Sequence, residues 1–133
     1  MAILYLILTD AERLEVASVV TALQTRFPGA RVTAENSFEA ERQRVAASIV
    51  EIAATGKPIR NPKLMLQSVT NKESAMGPGV DVSVPVDPSA VFKGHVWAKH
   101  IMLSSDAPCP PAAIELVTAF LRSLKIGNIK VVG

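Results

Sequence analysis

The sequence predicts one α/β domain, bordering on α+β, in which three main helices pack on a mixed β-sheet as a sandwich. Three observations lead there. Two short apolar runs are each followed by a capped, amphipathic helical pattern, and a strictly alternating valine strand lies mid-chain. A third amphipathic stretch is framed by Pro110-Pro111 and Gly127-Asn128. The expected element order is β-α-β-α-β-β-β-α-β.

Residues 2–8 are apolar throughout, the pattern of a short strand buried on both faces. Thr9 and Glu12 then form a capping box, and Val16, Val20, Leu23 and Phe27 place one helical stripe within residues 10–27. Pro28-Gly29 ends that helix. Residues 31–35 read as a second strand. Asn36 and Glu39 repeat the cap before a helix over about 37–55, with Phe38, Val45, Ile49 and Ile52 along one side and Thr55-Gly56 at its close. Two successive strand–helix units favour some parallel pairing.

The middle changes character. Residues 56–63 hold two prolines and a glycine and read as a loop, 64–69 as a strand, and 71–79 as another loop. Val80, Val82, Val84 and Val86 then alternate with Asp81, Ser83 and Pro85, a half-buried strand whose proline suits an edge. A further strand falls within 94–103, and the three are expected to form an antiparallel meander. Pro110 and Pro111 open the last helix, with its stripe at Ile114, Val117, Leu121 and Leu124, and residues 129–132 close the chain as a strand.

Composition narrows the class. The chain has 133 residues, 49% hydrophobic and 20% charged, enough apolar surface to offset the entropy of ordering. Cys109 is the only cysteine, so no disulfide forms within the chain and a reduced, cytoplasmic setting is expected. The apolar run at 2–8 is far short of the ~20 residues of a membrane span and has no basic segment before it, so no membrane association is expected. The net charge of +2 is unevenly spread. Residues 1–51 carry five basic and seven acidic side chains, and the remainder nine and five. Residues 52–72 hold Lys57, Arg60, Lys63 and Lys72 with no acid among them.

Two clusters are candidate sites. His95, Trp97, Lys99, His100, Asp106 and Cys109 gather both histidines, the only tryptophan and the only cysteine. A histidine acting as general base and Cys109 as nucleophile at a helix start would make a catalytic site of His95, His100 and Cys109. On one straight strand, however, His95 and His100 point to opposite faces, and a lone thiol with two divergent imidazoles is too few ligands for zinc. The structural alternative is that Trp97 packs, Cys109 is a small buried hydrophobe, and the histidines are edge or surface residues. No metal and no cofactor is expected. The second cluster, Lys57, Arg60, Lys63 and Lys72, would hold a phosphate-bearing ligand or nucleic acid. It lacks a phosphate-loop motif and interleaved aromatics, and a solvated loop explains it equally.

With no catalytic motif in the chain, the first functional expectation is a non-catalytic protein-interaction module. Its sheet face or edge would meet a partner protein or a second copy, because three helices leave part of a six-stranded sheet uncovered. A small-molecule enzyme and an anion or nucleic-acid binder are the two alternatives.

Overall fold

The computed structural model describes residues 1–59, 61–106 and 108–133. The N-terminal apolar run forms Ala2–Ile7 (β1), in which Ala2, Leu4 and Leu6 are buried while Ile3 and Tyr5 are only half-buried. Of the predicted Thr9–Glu12 capping box one half is made: Glu12 Oε1 accepts from the Thr9 N–H and hydroxyl at 3.0 and 2.9 Å, while the Glu12 N–H donates to the Thr9 carbonyl and not to its side chain. These bonds close a turn, and the helix itself, Val16–Arg26 (α1), starts four residues later. Arg31–Ala34 (β2) follows, and then Ser37–Ala54 (α2), capped as expected by Asn36, whose side chain accepts from the N–H groups of Phe38 and Glu39.

The principal departure comes next. Pro62–Met76 (α3) is a helix where a strand and a loop were expected. Asn61 caps it by accepting from the Leu64 N–H at 3.2 Å, and Pro62 occupies the first turn. Gly77, at φ 75°, ends it. A side chain is excluded there on two counts, since a Cβ on Gly77 would come within 2.6 Å of the Ala98 Cβ. Gly79–Asp87 (β3), Ala90–Trp97 (β4) and His100–Ser105 (β5) make the predicted antiparallel meander. Pro111–Ser123 (α4) and Asn128–Val132 (β6) complete the chain. Among the described residues there are thus four helices rather than three, in the order β-α-β-α-α-β-β-β-α-β.

All six strands belong to one open sheet, ordered β2-β3-β4-β5-β1-β6, and every pairing is antiparallel. The expected mixed sheet and sandwich are therefore corrected to a single antiparallel sheet. The physical reason lies in the meander. β3, β4 and β5 are inserted between β2 and β1, so the strand–helix–strand unit at the start never brings its two strands side by side. Pro85 sits beyond the last β2 partner, where Arg31 pairs with Ser83, so its missing N–H breaks no bond to β2.

The sheet's two faces differ. On one, α1 and α4 cover the main core, which includes Leu4, Leu6, Leu23, Val82, Val84, Phe92, Val96, Ile101, Leu103, Val117 and Leu121. On the other, the α2–α3 hairpin covers only the β3–β4 region, through Phe38, Val69 and Trp97. The expectation that residues 2–8 form a strand buried on both faces is met on one face only, because β1 lies next to the β6 edge of the sheet. No helix among the described residues is long and apolar enough to cross a membrane.

Candidate functional site

The tip of the β4–β5 hairpin positions the ring cluster. Ala98 and Lys99 form the turn, and two separate segments hold it, residues 76–78 and 9–14. Ala98 N–H donates to Pro78 O at 3.0 Å, Lys99 N–H to Met76 O at 2.9 Å, and Leu14 N–H to Ala98 O at 2.7 Å. The Lys99 ammonium also donates to the carbonyls of Thr9 and Asp10. Because the turn lies between residues 95 and 100, the odd spacing no longer separates the histidines. Trp97 pairs directly with His100, and His95 with Met102, so all four share the face under the α2–α3 hairpin. The expectation that the two imidazoles diverge is corrected by this turn.

The rings are in contact. His95 Nε2 and His100 Nδ1 share a hydrogen bond of 2.8 Å. His95 stacks on Trp97 at 3.5 Å between centroids and 6° between planes, and Phe38 of α2 closes the far side of Trp97 at 4.7 Å. Burial, with smaller contributions from His100 and Lys72, holds His95 neutral down to about pH 3. Burial also lowers the pKa of His100. A base this weak gives little driving force for proton abstraction near neutral pH. Stacked and hydrogen-bonded, the pair acts as a neutral strut between β4 and β5. Trp97 Nε1 is buried with no hydrogen-bond partner among the described residues, so ring packing places Trp97.

Cys109 does not join them. It is half-buried against the main core on the α1–α4 face, with its thiol donating weakly to Pro110 O at 3.7 Å. The structure thus brings together His95 and His100 and leaves Cys109 across the sheet. No group of three or more potential metal ligands occurs among the described residues.

The basic segment is dispersed. Lys57 lies in the connection between α2 and α3, Lys63 in the first turn of α3, and Arg60 outside the described residues. Lys72 is committed to Glu41 of α2 at 3.0 Å. On one helix Lys63 and Lys72 stand ~13 Å apart and about half a turn round from each other, which prevents convergence on one anion.

A different group of polar residues does converge, on the same face as the histidines. Arg31, Thr33, Asp81, Ser83, Lys93, Gly94, His95 and Met102 line an open groove of ≈ 450 Å³ that crosses β2 to β5. Arg31 is the registered partner of Ser83, and Ser83 that of Lys93, so a hydroxyl lies between two cations on neighbouring strands. Asp81 sits one row along and accepts a hydrogen bond from Ser37 Oγ at 2.6 Å, at the start of α2. The valine alternation already placed Asp81 and Ser83 on the polar side of β3. What it could not supply was the strand pairing that sets Arg31 and Lys93 on either side of them.

Comparison with family models, with curated proteins and with solved structures finds no match to this chain.

Proposed function

We propose that this chain is a non-catalytic interaction module whose partner is a second copy of itself, joined along the free edge of β6. The observation that carries this is the inequality of the two sheet edges. β2 is only four residues long, and its pairing is interrupted by a register shift between Val32 and Ala34, features that blunt an edge. β6 has five residues, no proline and no register shift against β1. Its Val131 and Val132 are 46% and 43% exposed, one on each face, and Ile7 of the adjoining β1 is also exposed.

Lys130 restricts how two copies pair. A two-fold axis perpendicular to the sheet keeps each face on its own side, so opposed residues must have matching parity. Centring the axis on Lys130 sets two ammonium groups opposite each other, which is unfavourable. Centring it on Val131 sets valine against valine and Lys130 against Val132, and this is the register we assign. Five residues per copy bury well under the ~1,600 Å² of a standard interface, so the dimer is weak and reversible. The proposal includes the cytoplasmic setting expected of a chain with one unpaired thiol.

Light scattering over a concentration series tests it. The wild-type mass rises toward twice the monomer, and Val131→Lys, which opposes two lysines at the centre of the register, stays monomeric. Leu64→Glu, at the exposed apolar outer end of the α2–α3 hairpin, leaves association unchanged. A wild type that remains monomeric to about 1 mM, or association removed by Leu64→Glu and not by Val131→Lys, overturns the proposal.

A further inference from the structure

From the groove on the α2–α3 face we infer a binding site for a small oxyanion: a phosphate or carboxylate group, carried by a small molecule, seated between Arg31 and Lys93 over the Ser83 hydroxyl. Three observations converge on it. The first is a hydroxyl open to the groove. Ser83 is 6% exposed and lines the groove, and no protein group among the described residues hydrogen-bonds its hydroxyl. Its oxygen is not sealed from the groove, so it is free to hydrogen-bond a ligand there.

The second is charge. Arg31 and Lys93 flank Ser83 through direct strand pairing, with their backbones roughly 10 Å apart across two strand spacings. Both side chains are long enough to lean over the serine. Neither forms an ion pair among the described residues, although Arg42 and Lys72 both do. An anion between them is attracted by both charges. A guanidinium offers a planar pair of donors to an oxyanion, and the ammonium adds a point charge.

The third is the state of the neighbouring groups. Asp81 is the one carboxylate in the lining, and its Oδ1 is engaged by Ser37 at the N-terminus of α2, which offsets part of its charge. His95 is neutral near pH 7, so it closes the groove beside Met102 without adding a charge of either sign. The groove is therefore net cationic at its Arg31–Ser83–Lys93 end. Its volume of ≈ 450 Å³ suits a small molecule. This site lies on β2 to β5, away from the β6 edge, so the inference does not depend on self-association.

The test is NMR titration of the full chain at low ionic strength with inorganic phosphate in one arm and citrate in the other. The expected result is saturable shifts at Arg31, Ser83 and Lys93 in at least one arm, and the tighter arm names the anion class. Arg31→Gln and Lys93→Gln each weaken that binding about tenfold, the loss expected for one charge-assisted contact. Ser83→Ala weakens it several-fold, while Lys57→Gln with Lys63→Gln leaves it unchanged. Since wild-type shifts are read without any variant, the assignment survives a variant that folds poorly. No saturable shift in either arm, shifts centred on Lys57 and Lys63, or binding indifferent to Arg31→Gln and Lys93→Gln overturns the inference.

Discussion

At the residue scale, His95 shows how one buried group ties stability to pH. Its folded pKa of about 3 lies below the ordinary 6.5. The unfolded chain therefore binds the proton more readily, and the neutral imidazole favours folding. That contribution is complete above about pH 6.5 and is lost as pH falls toward 3, at up to roughly 1.4 kcal/mol per pH unit for one proton. His100, shifted the same way by burial, adds to the loss. Denaturant unfolding between about pH 7 and 4 should show this slope. His95→Phe keeps a ring to stack on Trp97 but has no proton to bind, and its slope should be shallower. An unchanged slope in His95→Phe places the acid sensitivity elsewhere. Glu12 works at the same scale. Its carboxylate accepts from Thr9 and from the Gly127 N–H at 3.1 Å, joining the β1–α1 and α4–β6 connections, and these hydrogen bonds lower its pKa. Glu12→Gln should lower the melting temperature at neutral pH, and by less once the pH has fallen far enough to protonate the wild-type carboxyl.

At the element scale, the α2–α3 hairpin is both the least readable part of the sequence and the part that completes the groove face. α2 was readable because Asn36 and Glu39 cap it and Phe38 starts its stripe. α3 was not, because its inward face carries charge. Leu66, Val69, Glu73 and Met76 form the helical stripe, and Lys72 beside them reaches Glu41 while Glu73 pairs with Arg42. The consecutive Leu64 and Met65 that resembled a strand are exposed. The Asn61-Pro62 pair, which caps α3, is the signal in the sequence that marks its start. The histidine pair was hidden for a similar reason: two strands joined by the Ala98-Lys99 turn carry no glycine or asparagine to mark it. Phe38, wholly buried against Trp97, fastens the hairpin to the sheet together with Val69. Phe38→Ala should cost about 3–5 kcal/mol. It should also open α2 and α3 to proteolysis before the sheet unfolds, and simultaneous loss of both would show that the hairpin is not a separable unit.

At the scale of the whole molecule, coverage of the sheet divides it in two. Where β3 and β4 run, helices lie on both faces, and the histidine strut and the cationic groove sit under or beside them. Toward β1 and β6 only the α1–α4 face is covered, and the sheet ends in an edge whose one charge is Lys130. The amino-acid pattern conveyed the core face well, since the alternating valines of β3 and the stripe of α4 both point where they were expected. It did not convey strand order, which depends on the meander inserting between β2 and β1. The central claim is that a second copy continues the sheet across β6. Residue-resolved amide hydrogen exchange along Asn128–Val132, followed as the protein is diluted, tests it most directly. The outward-facing amides of β6 should be protected at high protein concentration and lose that protection on dilution, while the amides bonded to β1 stay protected throughout. Fast exchange of the outward amides at every concentration would contradict it.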